Sequence, residues 1–396
     1  MKRHLCTMQK KKTILVAPLN WGLGHATRSI PVIHALMADG FNVLIGSDGA
    51  ALNLLKQEFP TADFLELPSY QIEYSKNGKK FMWKMILRSP KVAKAIHEEN
   101  KLLKKMVRQG EVDGVVSDNR LGLYNKHIPT VFITHQLQVL SGNTTKLTSA
   151  LHYRYIKKFD ECWVPDYQGK PNLSGKLGHP KSFNIPVKYL GPLSRLNKKE
   201  CDKEYDVLVL LSGPEPQRSE LEEILFYEFK KFKGNVLFVK GVVEDEQKVE
   251  RIKEMKVVNF MESTELEKAI NSSDIVVCRS GYTTVMDLVK LNKKAFFIPT
   301  PGQTEQEYLA RRFKKKGWIP CANQENFKLK DLSSVEVYKG FRPLIDQVGF
   351  TQVTFGELFG LFKGERELRP HTKVAFYINL FIMGLNNVFD DREAKS

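Results

Sequence analysis

Short, almost unbroken apolar runs recur along this chain, each bounded by polar or glycine-bearing turns. They fall at 13–18 (TILVAP), 41–47 (FNVLIGS), 63–67, 114–118 (GVVSD), 129–135 (PTVFITH), 159–165 and 187–192. A second series follows at 206–211 (DVLVLL), 235–241, 257–261, 274–278 and 295–298. Continuous rather than alternating runs are what parallel strands show when both sheet faces are covered. Helical spacing between several of the runs completes a repeated strand–helix–strand order, which predicts an α/β protein with parallel sheets. The polar run 195–204, with Lys198, Lys199 and Lys203, reads as the boundary between two domains. The expected division is therefore an amino-terminal domain over 1–195, a carboxyl-terminal domain over 196–335 and an extension over 336–396, where the pattern degrades.

Polar residues collect where α/β units present ligands, after strand carboxyl ends and at the first turns of helices. The fullest case lies within 272–310, a strand–helix–strand–helix passage. Ser280, Gly281 and Thr283 stand at its first helix start, where free N–H groups and the helix dipole favour a phosphate. Gln303, Thr304, Glu305 and Gln306 stand at the second, suited to sugar hydroxyls. Phosphate at one helix start and polyol at the next suggest a nucleotide-sugar. Taken alone, Ser-Gly-x-Thr also serves as a cap and tight turn.

The first strand leads into Asn20 through Arg28, a glycine loop opening a helix. Gly22 and Gly24 begin a dinucleotide fingerprint, but Thr27 stands where its third glycine belongs, which argues against NAD. His25, at the helix start, has the residue type that removes a proton near neutral pH, or it caps a neighbouring helix. Arg28 would face phosphate or solvent. His135, at the end of a later strand, is the second acceptor-side candidate, and Ser117, Asp118, Asn119 and Arg120 close another as acceptor contacts or a loop cap. Ser212, Gly213 and Arg218 open the second domain, in a loop that by itself reads as a proline-rich turn with a solvated arginine.

CRSGYTTVMDL followed by PTPGQTEQEYLA resembles the donor-sugar signature of family 28 glycosyltransferases, and the resemblance spans about 13–330. It implies a GT-B fold, two Rossmann-like parallel-sheet domains facing across a cleft, with the nucleotide on the carboxyl-terminal domain. It further implies Ser280 and Gly281 at the diphosphate, with the loop of Ser212, Gly213 and Arg218 facing it. Asp287 would lie at the ribose, Glu305 and Gln306 at the donor sugar, and His25 would be the catalytic residue in a Gly-x-Gly-His element. The loop after 257–261 would pack against the uracil. The activity implied is transfer of a sugar, N-acetylglucosamine above all, from a UDP-sugar to a glycan or lipid-linked acceptor, as in members that build peptidoglycan on a polyprenyl carrier. The chain departs from the family in Asp287 for a usual Glu, Glu305-Gln306 for a glutamine pair, and Leu309 for the asparagine before the closing alanine.

Composition adds partners. The 396 residues are 42% hydrophobic and 27% charged, an ordinary globular balance, but the net charge is +16. Such a surface attracts anionic lipid, phosphorylated substrates or nucleic acid. No nucleic-acid module is evident, so an anionic membrane surface and the UDP-sugar are the expected partners. The segment 79–88 interleaves Phe81, Met82, Trp83 and Leu87 with lysines, as an interfacial helix would, or as a core-packed helix with a basic edge would. No signal-peptide pattern or run of roughly 20 apolar residues occurs. The five cysteines lack paired spacing. The expectation is a cytoplasmic protein, peripheral at the inner face of the membrane. No Asp-x-Asp motif or carboxylate pair suggests a metal, and no cofactor is expected beyond the co-substrate. The rival readings are a nucleotide-sugar epimerase or hydrolase on the same fold and a non-catalytic binder of anionic membrane or nucleic acid.

Overall fold

The computed structural model describes residues 11–70, 90–140, 145–180, 183, 185–242, 244 and 246–348. These fall within one compact unit. The amphipathic segment 79–88 and the tail 349–396 lie outside the described residues.

Every apolar run becomes a strand, within a few residues of its expected ends. The amino-terminal sheet comprises β1 (Thr13–Pro18), β2 (Asn42–Ser47), β3 (Asp63–Glu66), β4 (Gly114–Asp118), β5 (Thr130–Ile133), β6 (Glu161–Val164) and β7 (Val187–Tyr189). Their spatial order is β3-β2-β1-β4-β5-β6-β7, and all six pairings are parallel. The chain leaves β1 toward one edge and β4 toward the other, so their carboxyl ends flank a crevice.

The carboxyl-terminal sheet comprises β8 (Tyr205–Leu210), β9 (Val236–Val239), β10 (Val249–Ile252), β11 (Met255–Val258), β12 (Ser273–Cys278) and β13 (Lys294–Phe297), in the order β10-β11-β9-β8-β12-β13. Its reversal of direction lies between β8 and β12. Only β10 is antiparallel, paired with β11. It has no counterpart among the apolar runs, because VERI is exposed over its first three residues.

Helices cover both sheets. They are α1 (Gly24–Ala38), α2 (Gly49–Glu58), α3 (Pro90–Gln109), α4 (Thr145–Ile156), α5 (Gln217–Phe229), α6 (Ser263–Asn271), α7 (Tyr282–Lys290), α8 (Thr304–Lys315) and α9 (Arg342–Val348). In α3, Val92, Ala95, Ile96, Leu103 and Met106 are buried at helical spacing, each large side chain contributing about 1.5–3 kcal/mol. The second core gathers Val207, Val209, Phe229, Phe238, Val277 and Phe296 around its central strands. Beyond β13, a 3-10 helix at Leu329–Val337 packs Leu332 and Val335 onto that core before α9. No helix among the described residues is long and apolar enough to cross a membrane.

Candidate active site

The two crevices meet. Thr283 Oγ1, in the first turn of α7, donates to the Gly24 carbonyl at 3.3 Å, joining the start of α7 to the start of α1. A Cβ on Gly24 would stand 2.7 Å from that Thr283 oxygen, so a side chain there would displace the Thr283 hydroxyl and break this contact. Gly22, two residues earlier, has φ +70°, a left-handed conformation that glycine adopts without strain.

His25 lies on the amino-terminal side of this junction. Its Nδ1 is 2.8 Å from Asp118 Oδ1 and 2.8 Å from Arg28 Nη2, with Asn119 Nδ2 at 3.4 Å. Arg28, one turn along α1, faces neither phosphate nor solvent. It is buried, donates from Nε to Asp118 Oδ2 at 2.5 Å and from Nη2 to Oδ1, and reaches His135 Nδ1 at 3.1 Å through Nη1. Burial works to raise the Asp118 pKa, but Arg28 and His25 outweigh it and hold the carboxyl down at about 2. Burial also lowers the His25 pKa, against the pull of Asp118 and with Arg28 adding to the lowering, which favours the neutral imidazole. Asn119 holds a φ of +61° and leaves its buried Oδ1 without a partner.

The glycine loop is braced from behind by a buried charge network. Asn20 Nδ2 donates to Asp48 at 3.3 Å, and Arg120 binds Asp48, Glu99 at 2.8 Å and the Pro18 carbonyl at 3.0 Å. Tyr70 donates to Glu99 at 2.7 Å. Arg120 is fully buried, so it supports the loop rather than meeting a ligand.

On the carboxyl-terminal side the predicted donor residues converge. Ser280 Oγ donates to the Gln306 carbonyl at 2.8 Å, and Gln306 accepts from the Thr300 N–H at 2.9 Å while donating to Gln303 at 2.7 Å. Gly213, with φ +112°, faces the buried, unpartnered Oγ1 of Thr300, and Ser212 beside it is exposed. Gly281 precedes α7 in extended conformation, leaving the first N–H groups of that helix without side-chain caps. Glu305 crosses to the other domain, accepting from His135 Nε2 at 2.9 Å and from Gln136.

Ser280 is fully buried behind its bond to Gln306, so its hydroxyl braces the loop and does not stand open to a diphosphate as the sequence predicts. Arg218 and Asp287 are engaged as well. Arg218 is taken up by Glu215 at 2.6 Å, Glu222 at 2.6 Å and the Lys240 carbonyl at 3.2 Å. Asp287 accepts from Ser194 Oγ at 2.6 Å, in the strap joining the domains. No local motif marks the pairing of Asp118 with His25, or the contacts of Gln136 and Tyr282 with Glu305 and His135. The signal for Asp118 is positional: it ends β4, the strand beside β1 at the reversal of the sheet. Among the described residues no cluster of His, Cys, Asp or Glu has the makings of a metal site.

Residues 218–338 match the family model described as glycosyltransferase family 28 C-terminal domain. An uncharacterized glycosyltransferase of Methanosarcina acetivorans is 25% identical over 316 residues, covering 75% of this chain and 82% of the relative. The UDP-N-acetylglucosamine--N-acetylmuramyl-(pentapeptide) pyrophosphoryl-undecaprenol N-acetylglucosamine transferase of Clostridium tetani is 25% identical over 346 residues, covering 81% and 87%. Among solved structures, a UDP-glucosyltransferase from Polygonum tinctorium aligns with TM-score 0.62 at 12% identity, covering 91% of this chain and all of that one.

Proposed function

We propose, from the premise that this chain is a family 28 glycosyltransferase with a GT-B fold, that it transfers a sugar from a UDP-sugar, N-acetylglucosamine in the first instance, to a lipid-linked glycan at an anionic membrane surface. What carries the reading is the junction of the two crevices, where Thr283 at a phosphate-type helix start bonds the carbonyl of Gly24, the residue before His25. A diphosphate on the N–H groups opening α7, beside Ser212 and Gly213, would set the anomeric carbon of its sugar toward His25. Gln303, Glu305 and Gln306 would take the sugar hydroxyls, and Asp287 the ribose.

In this reading Asp118 Oδ1 takes both the Arg28 Nη2 hydrogen and the Nδ1 hydrogen of His25, so Nδ1 is not needed as an acceptor for the guanidinium and Nε2 keeps its lone pair for the acceptor hydroxyl. His25 removes the proton of the acceptor hydroxyl as that oxygen bonds to the anomeric carbon. The bond from that carbon to the diphosphate breaks, and the departing charge is met by helix N–H dipoles already in place. Asp118 holds the ring and stabilises the imidazolium. The acceptor surface is inferred from charge: α3 turns Lys91, Lys94, Lys101, Lys104, Lys105 and Arg108 to solvent, on a chain of net charge +16. A cytoplasmic, membrane-peripheral enzyme follows from that acceptor.

The test is calorimetric titration with UDP, UDP-N-acetylglucosamine, GDP and NAD on the wild type and on Ser280→Trp, followed by turnover of His25→Ala. Selective binding of uridine nucleotides, abolished in Ser280→Trp, is the expected result. His25→Ala should lose about 10²–10⁴-fold in turnover with UDP affinity little changed. Failure to bind any nucleotide sinks the reading, and release of free sugar at the full rate without acceptor would make the enzyme a hydrolase.

A further inference from the structure

Two contacts fix the state of His135. Arg28 Nη1 lies 3.1 Å from its Nδ1, and a guanidinium carries donors only, so Nδ1 holds the lone pair and Nε2 the hydrogen. That hydrogen meets Glu305 Oε1 at 2.9 Å, an acceptor, which requires the same tautomer independently. The ring lies flat on Tyr282, with centroids 4.1 Å apart and planes 5° from parallel. Gln136 donates to the other carboxylate oxygen. His135 and Gln136 follow β5 of the amino-terminal sheet, whereas Glu305 belongs to the first turn of α8 in the other domain.

Glu305 is thus gripped from behind, one donor to each oxygen, while its side chain stays 29% exposed. Each oxygen retains acceptor capacity. Burial works to raise its pKa, but the electrostatic pull and hydrogen bond of His135, with Arg28 and His25 beyond, hold it below the usual glutamate value. A fixed, ionised carboxylate, partly exposed and with acceptor capacity left on each oxygen, matches two adjacent hydroxyls.

We propose that His135 is a positioning residue for donor-sugar selection, holding Glu305 as a two-pronged acceptor for vicinal hydroxyls of the sugar. The inference rests on the donor-site reading above and deepens it. It assigns part of donor recognition to the domain that does not carry the nucleotide. It also removes His135 as an acceptor-side base, because Nε2 carries a hydrogen and Nδ1 faces a guanidinium.

The experiment compares wild type, His135→Phe, His135→Gln, Glu305→Gln and the His135→Phe/Glu305→Gln pair. Phenylalanine keeps a ring against Tyr282 but loses both hydrogen bonds, whereas glutamine can still present an N–H to Glu305. Steady-state transfer is measured with UDP-N-acetylglucosamine and its 4-epimer, and binding of UDP alone by calorimetry. His135→Phe should raise the KM for the sugar nucleotide about tenfold, the scale of a lost hydrogen bond to a charged group. Discrimination between the epimers should fall comparably, and UDP, which lacks the sugar, should bind within about twofold of wild type. His135→Gln should restore part of both losses, and in the Glu305→Gln background His135→Phe should add nothing. If His135→Phe does not fold, His135→Ala in the wild-type and Glu305→Gln backgrounds supplies the same comparison. Unchanged donor KM and discrimination, or fully additive effects of the two substitutions, overturn the proposal while leaving the donor site standing. A wild type that binds no sugar nucleotide overturns both.

Discussion

Asp287 is the residue whose replacement separates stability from function most sharply. It lies on α7 with Oδ1 accepting from Ser194 at 2.6 Å, and Arg195, the next residue of the strap, sits 3.2 Å from Glu58. Burial raises its pKa from the ordinary 3.8 to about 6, against the opposing effects of Ser194 and Arg195. Because the folded value lies above the unfolded one, the favourable contribution of the protonated group is complete below about pH 4 and is lost as pH rises through about 6. Holding the group ionised at pH 7 therefore costs up to about 3 kcal/mol, from a rise of roughly two pH units at 1.36 kcal/mol each. Partial exposure screens this to about 1–3 kcal/mol. Asp287→Asn removes the charge yet can still accept from Ser194. The variant should unfold roughly 2–5 °C above wild type at pH 7, with the gain shrinking by about half at pH 5. On the proposed ribose contact of Asp287, UDP affinity in the same protein should fall about tenfold. Thermal unfolding at pH 7, 6 and 5 with parallel UDP titration measures both. A gain that is absent, or equal at every pH, would refute the linkage argument, and unchanged UDP affinity would remove Asp287 from the donor site.

Two further perturbations probe the frame around the site. Arg120→Leu should leave the carboxylates of Asp48 and Glu99 buried without their shared cation, costing about 3–5 kcal/mol in a urea unfolding series; a loss below about 1 kcal/mol would contradict the network. Gly241→Ala should cost about 1–3 kcal/mol, because φ is +70° and the new Cβ would stand 2.3 Å from the Leu211 carbonyl. That shift would move the Ser212–Gly213 loop, so UDP affinity should fall with stability, and a variant that keeps both would show the loop to be free of the end of β9.

What the sequence made legible was local. A continuous apolar run says strand, and the polar residues after it say where the next helix opens, so His25, Ser280 and Gln303 could be set at helix starts before any partner was known. VERI at Val249–Ile252 escaped because an exposed edge strand has no apolar run, and its turn passes through Lys253 at φ +56° rather than a glycine. Arginines divide the same way. Arg218 could have been read as paired, since Glu215 and Glu222 stand three residues before and four after it, the spacing at which helical side chains meet. Arg28 could not, because its partners Asp118 and His135 are 90 and 107 residues away.

The glycines show why that limit falls where the chemistry begins. Gly22 and Gly24 look alike in sequence, two loop glycines before a helix. Gly22 answers a local demand, a left-handed backbone. Gly24 answers a distant one, the 2.7 Å that a Cβ would leave to Thr283. A motif records that glycine is needed without recording which demand it meets. Only the second kind brings the two crevices together, and that junction sets the residue before His25 in one domain against the uncapped first turn of α7 in the other.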